Sequence, residues 1–212
     1  MKIDTRRQEL LDLGRGKDVL VLGPLGTYDR YRAGTAIEIW DFKYLTGIAS
    51  SVLGLDVNEE LIKVAVEDGW NIELGDAEAF NLGRMFDLIF SADLIEHLGR
   101  PLDFLLCAAR HLKPGGVIVV ETPNPIGIDT LLRALVTGDK KSSEVHCCWI
   151  DEWNAQELGR RAGLKCRTVK YTPISQFAYW QAVRCRIYRF ISSLRPALAA
   201  RLSTSTRSSR TR

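Results

Sequence analysis

A chain of 212 residues with 46% hydrophobic content is long enough for one domain with a sizeable core. It contains no uncharged apolar run of about 18 residues, which excludes a membrane-spanning helix, and its charged opening, MKIDTRRQELLDLGRGKD, has no apolar centre of the kind a secretory signal needs. A cytoplasmic protein is expected. The net charge of +3 is unevenly spread: residues 1–157 hold all 26 acids and 16 of the 29 basic residues, while residues 158–212 hold 13 basic residues and no acid. The two parts therefore meet different partners.

In chain order, DVLVLG (18–23) reads as a short buried strand ending at a glycine. An irregular stretch, PLGTYDRYRAG, follows, and TAIEIWDFKYLTGIAS, with apolar residues at Ile37, Trp40, Tyr44 and Ile48, has helical spacing. SVLGLDV is a second strand closed by an acid. NEELIKVAVEDG opens with Asn58 as a natural N-cap and ends at Gly69, which suits a left-handed position. NIELGDAEAF and FDLIFSADL give a third and a fourth strand, PLDFLLCAARHLKPGG a helix with proline in its first turn, and VIVVETPN a fifth strand.

Short apolar strands alternating with helices predict a doubly wound, mostly parallel α/β sheet. In such sheets ligands bind beyond the carboxyl ends of the strands. That rule puts Gly23, Asp56, Asp76, Ser91–Asp93 and Thr122–Asn124 along one rim. GPLGTY lacks the close-approach glycine of a dinucleotide loop, Leu25 standing in its place, so a nucleoside without pyrophosphate fits better than NAD(P). Asp56 is placed to accept from two ribose hydroxyls, and Asp76 from an exocyclic adenine amine beside Ala77; both also read as helix-entry or turn acids.

The stretches VLVLG, VLGLDVNEELI, NIELGDAE, FDLIFSADLIEHLGRPLDFLLCAARHLKPGGVIVVETPNP and HCCWIDEWNAQELGRRAGL, spanning about residues 17–172, resemble the successive motifs of class I S-adenosylmethionine-dependent methyltransferases. The resemblance implies S-adenosylmethionine as cofactor, with Gly23 beneath the methionine moiety, Asp56 on the ribose, Asp76 and Ala77 at the adenine, Ser91 and Ala92 near the sulfonium, and Gly26 and Val57 among the contacts. Two positions depart from the family's first motif: Val21 replaces an acid and Leu25 a glycine.

The implied reaction is methyl transfer to a small-molecule or glycan-type acceptor, lipid-linked acceptors included, at oxygen. His97 or His146 is the residue type that takes a hydroxyl proton. His97 also reads as a loop-holding residue and His146 as a packing residue. Asp87, at a strand start, reads as structural. The alternatives are a non-catalytic cofactor-binding or adaptor protein and an NAD(P)-dependent oxidoreductase.

Five cysteines without CxxC spacing read as reduced thiols, and His146-Cys147-Cys148 has no second ligand pair at zinc spacing, so no metal is expected. LKCRTVKYT is a sixth strand. The domain is expected to occupy residues 1–175, followed by an amphipathic, arginine-bearing helical extension over 176–202 suited to a membrane surface and a disordered tail over 203–212. The alternative for the end is a short strand built of Thr and Ser. No nucleic-acid partner is expected, for want of a reader motif.

Overall fold

The computed structural model describes residues 5–35, 40–125, 127–138, 145–172 and 201–208. Helix α1 (Thr5–Gly14) precedes strand β1 (Asp18–Leu22), a 3-10 turn (Pro24–Thr27) and the short helices α2 (Tyr28–Arg32) and α3 (Asp41–Thr46). β2 (Ser51–Asp56), α4 (Glu59–Glu67), β3 (Ile72–Leu74), β4 (Phe86–Ala92), a 3-10 turn (Ile95–His97), α5 (Pro101–Arg110) and β5 (Leu112–Pro123) follow. The chain continues through α6 (Ile128–Thr137), α7 (Glu152–Arg161), β6 (Leu164–Thr172) and β7 (Arg201–Ser208).

The seven strands lie in the order β3-β2-β1-β4-β5-β7-β6. β1 to β5 are parallel, and β7 runs antiparallel to both of its neighbours. Strand alternation divides the core between the two faces. Leu20, Leu22, Ile89, Ile118 and Val120 pack with α5 and α7 on one side, and Val19, Val21, Leu88, Phe90 and Val119 pack with α1, α3 and α4 on the other. This is the doubly wound sheet expected from the sequence, with its crossovers on both faces.

Several boundaries differ from those read in the sequence. The N-terminal segment is a helix, and the irregular stretch after Gly23 contains a 3-10 turn and α2. Of the helix expected over 35–50, residues 36–39 lie outside the described residues, and among the described ones the helix is Asp41–Thr46, since Trp40 takes extended backbone and its indole N–H donates to the Pro24 carbonyl at 2.6 Å. β3 stops at Leu74, where the chain turns away at Gly75. β5 starts five residues early, running through the Lys113–Gly116 turn with a register shift opposite Phe86–Leu88.

The C-terminal part needs a larger correction. Residues 201–208 are not tail: they form β7 between β5 and β6, with Arg201 opposite both Pro123 and Thr172. The Thr/Ser-built strand, not the disordered tail, is the correct alternative, because its backbone closes the ladder on both sides irrespective of side-chain polarity. The sheet therefore continues past residue 175. Of the helix expected over 176–202, residues 176–200 lie outside the described residues, and residues 201 and 202 belong to β7.

Candidate active site

The carboxyl ends of β1, β2, β4 and β5 make a continuous rim. Gly23 leaves β1 at φ 67°, a left-handed conformation that glycine adopts without strain, and a Cβ there would meet Leu94 at 3.1 Å. One ångström-scale consequence is that backbone alone can line the turn. Asp56 closes β2; its Oδ2 accepts the Leu25 N–H at 3.0 Å and its Oδ1 the Asn58 N–H at 3.1 Å. The carboxylate thus ties the β1 turn to the β2 end while keeping acceptor capacity for a diol. Val57 beside it is 66% exposed, offering an apolar wall, and Ala77 is buried. Asp76 Oδ1 accepts the Glu78 N–H at 2.8 Å, so the turn reading of this acid holds in the structure. Gly26 lies in the 3-10 turn with open space around it.

Ser91 pairs with Leu22, next to Gly23. Its Oγ is buried and has no hydrogen-bond partner. A buried hydroxyl of this kind fits a polar ligand at the rim. With the left-handed glycine, the exposed Val57 and the Asp56 carboxylate, it makes a set that suits a nucleoside cofactor.

Beyond Ala92 the chain bends sharply. Asp93 has φ 49°, the one positive value on a non-glycine residue among the described residues, and its N–H donates to the Glu121 carbonyl at 2.9 Å. The 3-10 turn that follows turns Glu96 inward. Glu96 is 2% exposed; Thr122 Oγ1 donates to its Oε2 at 2.9 Å, and its Oε1 lies 4.0 Å from His146 Nε2. Burial pushes the Glu96 carboxyl up, and the Asp93 charge adds to this.

The segment bearing His146 is docked onto this turn through backbone: the N–H groups of Cys147 and Cys148 donate to the Glu96 carbonyl at 2.8 and 3.2 Å. His97 Nδ1 lies 3.1 Å from the Val145 carbonyl, and the His97 and His146 rings meet edge to face at 4.7 Å. Burial lowers the His146 pKa, with the His97 charge acting in the same direction. Glu96, His97 and His146 each present one ligand atom, all within 4.8 Å of one another, a spacing that can hold a metal ion.

The structure thus brings together the two histidines singled out in the sequence and adds Glu96, whose orientation the sequence does not fix. Thr122 was placed on the rim but not in this cluster; the signal available was its position at the end of β5. Cys107, Cys147, Cys148 and Cys166 are free thiols, and Cys185 lies outside the described residues.

Asp87, the acid that opens the same sequence stretch, is at the opposite end of β4. It shares Lys113 with Asp18 and accepts the Asp18 N–H, which makes it a strand-entry anchor.

Residues 2–169 match the methyltransferase domain family. The chain belongs to that family. Its fold is that of the class I S-adenosylmethionine-dependent methyltransferases. Among relatives of this methyltransferase, a ubiquinone biosynthesis O-methyltransferase of Roseobacter denitrificans is 32% identical over 113 residues, 46% of each chain. The chain spans about half the length of the curated relatives it matches. An S-adenosylmethionine-dependent methyltransferase from Mesorhizobium loti superimposes with a TM-score of 0.61 at 19% identity, covering 95% of both chains. The N-methyltransferase NodS from Bradyrhizobium japonicum WM9, in complex with S-adenosyl-L-homocysteine, does so with a TM-score of 0.58 at 17% identity, over 96% of this chain and 86% of that one.

Proposed function

We propose that this methyltransferase transfers the methyl group of S-adenosylmethionine to a hydroxyl oxygen of a small-molecule acceptor bound against Glu96, His97 and His146. The observation that carries the reading is the position of this cluster, directly beyond Ser91 and Ala92 on the rim that suits the cofactor. The cofactor supplies an electrophilic methyl on a sulfonium that departs as a neutral thioether. Gly23, Asp56, Val57, Asp76 and Ala77 hold and orient its nucleoside and methionine ends, and Ser91 and Ala92 line the approach to the reacting carbon. Catalysis of this displacement comes from alignment and exclusion of water. The histidine pair and Glu96 are the polar groups that would face the acceptor hydroxyl. Oxygen as the acceptor atom is supported by the O-methyltransferase named among the relatives.

The test is calorimetric titration with S-adenosylhomocysteine, followed by transfer of labelled methyl to a panel of small hydroxyl acceptors. Micromolar binding by the wild type, lost at least tenfold in Asp56→Ala through removal of about 1.5–3 kcal/mol of charge-assisted hydrogen bonding, supports the reading. Absence of binding by the wild type overturns it. Binding without transfer to any acceptor would favour a non-catalytic cofactor-binding protein.

We further propose that the acceptor is met at the cytoplasmic face of a membrane, glycan- or lipid-linked acceptors being the class concerned. Two features support this. α6 leaves Leu132, Leu135 and Val136 exposed just after the rim, and Thr172 and Arg201, which pair with each other beside Pro123 on that rim, flank in sequence a stretch, 173–200, with four arginines, no acid and eleven large apolar or aromatic residues. No helix among the described residues is long and apolar enough to cross a membrane. Co-sedimentation with anionic vesicles is expected for the full chain and should fall at least tenfold when Arg184, Arg186 and Arg189 are all changed to Gln, at about 1 kcal/mol per arginine; equal sedimentation of both proteins would sink the idea. Truncation after residue 173 is unsuitable for this purpose, because it removes β7 from the sheet.

A further inference from the structure

We infer that Glu96, His97 and His146 form a binding site for one divalent transition-metal ion, held by a carboxylate oxygen and two imidazole nitrogens beside the acceptor. The inference rests on the active-site reading above and deepens it: the ion binds the acceptor hydroxyl that takes the methyl group.

Three observations carry it. The first is Glu96 Oε1, which is buried, lacks a hydrogen-bond partner and points to His146 Nε2 at 4.0 Å, too far for a hydrogen bond. A carboxylate oxygen in that state is costly unless a cation completes it. The second is the tautomer of His97. Its Nδ1–H donates to the Val145 carbonyl at 3.1 Å, which leaves the lone pair on Nε2, and a carbonyl behind a ligating imidazole is the usual support of a metal-bound histidine. Glu96 is supported in the same way, its other oxygen held by Thr122 at 2.9 Å.

The third is the fixed approach of the two segments. The Cys147 and Cys148 N–H groups clamp the chain to the Glu96 carbonyl, and both thiols lie against backbone carbonyls of residues 95–97. The ligand atoms are within 4.8 Å of one another, and ligation at about 2.0–2.2 Å draws them closer by about an ångström. One oxygen and two nitrogens suit zinc or another first-row ion better than magnesium, which prefers oxygen throughout. Three protein ligands leave a coordination position for the acceptor.

An acceptor hydroxyl bound there is polarised by the ion and loses its proton to solvent. Its oxygen then forms the bond to the methyl carbon as the sulfur–methyl bond breaks, and that electron pair stays on sulfur. No oxidant or reductant is involved.

The experiment uses the full chain, freed of metal by chelation and gel filtration and titrated with Zn2+ by calorimetry, with bound zinc counted by atomic emission. S-adenosylhomocysteine is titrated into the same samples. One zinc per chain is expected for the wild type, with affinity reduced more than about 100-fold in His97→Ala and in His146→Ala while S-adenosylhomocysteine binding, which reports folding, is kept. The double variant Cys147→Ser/Cys148→Ser is expected to bind zinc as the wild type does. Failure of the wild type to take up zinc at micromolar concentration overturns the site, as does equal uptake by the histidine variants or a loss confined to the cysteine variant. S-adenosylhomocysteine binding without zinc uptake removes the metal and leaves the methyltransferase reading intact; zinc uptake without S-adenosylhomocysteine binding does the reverse.

Discussion

Asp93 occupies the bend from which the loop bearing Glu96 and His97 starts, and its φ of 49° decides which side chains that position accepts. Aspartate and asparagine tolerate the left-handed region because their short polar groups bond locally, whereas a β-branched residue there is strained. Asp93→Asn is therefore expected to keep thermal stability within about 0.5 kcal/mol, and Asp93→Val to lose roughly 1–2 kcal/mol, as read by thermal unfolding. His111 shows the same dependence on local bonding. Its Nδ1–H donates to Cys107 O at 2.8 Å and its Nε2 accepts the Leu82 N–H at 3.0 Å; the Cys107 carbonyl keeps a backbone partner at residue 111, so His111→Leu strips only the Leu82 N–H of its acceptor and should cost about 1 kcal/mol. At this scale the sequence shows the rim residues well, since an acid or small polar group at the end of an apolar run marks where a strand emerges. It does not show Glu96 turning inward, which follows from the Asp93 bend and from the Thr122 hydroxyl waiting on another strand. Nor does it bring His146 to His97, which depends on two backbone N–H groups finding one carbonyl.

The elements that sequence periodicity misses are those held by charge. α1 carries only a weak apolar stripe, and its place on the sheet is fixed by Arg6 and Arg7. Arg6 Nε donates to both oxygens of Glu121 at 2.6 and 2.7 Å, while its Nη2 and the Nε of Arg7 donate to the two oxygens of Asp41, each at 2.7 Å. Burial alone would push the Arg6 guanidinium down, but Asp41 and Glu121 more than reverse this, and its pKa is raised. Because Glu121 is 2% exposed, Arg6→Met takes the balancing Arg6 charge away from a buried carboxylate. A loss of about 3–5 kcal/mol in denaturant unfolding is expected, with part of it recovered in Arg6→Met/Glu121→Gln. Additive losses would show that the network is not coupled. α4 is the opposite case. Its Asn58 cap is plain in the sequence and is found accepting the Leu61 N–H at 3.1 Å, so Asn58→Ala should cost about 1 kcal/mol. Capping is local chemistry and legible; a four-charge network joining α1, α3 and β5 is not.

Across the whole molecule the two ends of the sheet do different work. The amino ends of β1, β4 and β5 are joined by Lys113, at 2.6 Å from Asp18 and 2.9 Å from Asp87, away from the ligand rim. Hydrogen bonds from Lys113 and Ser51 hold Asp18 below the usual carboxylate range; burial opposes the shift at Asp87, but the Asp18 N–H and Lys113 outweigh it. Groups with depressed folded-state pKa values stabilise the fold above their unfolded values and lose that contribution as pH falls through the folded ones. The stability difference between wild type and Lys113→Met should therefore be present at neutral pH and shrink as pH falls below the ordinary aspartate value of about 3.9, measured by thermal unfolding across that range; a constant difference would contradict the linkage. The parallel half of the sheet was readable because each strand is a compact apolar run. β7 was not, because Arg201–Ser208 has the composition of a linker and owes its strand to the two edges it fills. That order has a consequence for biosynthesis. A ribosome completes β5 and β6 well before β7 emerges, at roughly 5–20 residues per second, so each nascent chain carries an unpaired β5 edge until the last of these strands is free of the exit tunnel. Chaperone dependence, and misassembly by lending β7 to a neighbouring chain, should be concentrated in that interval.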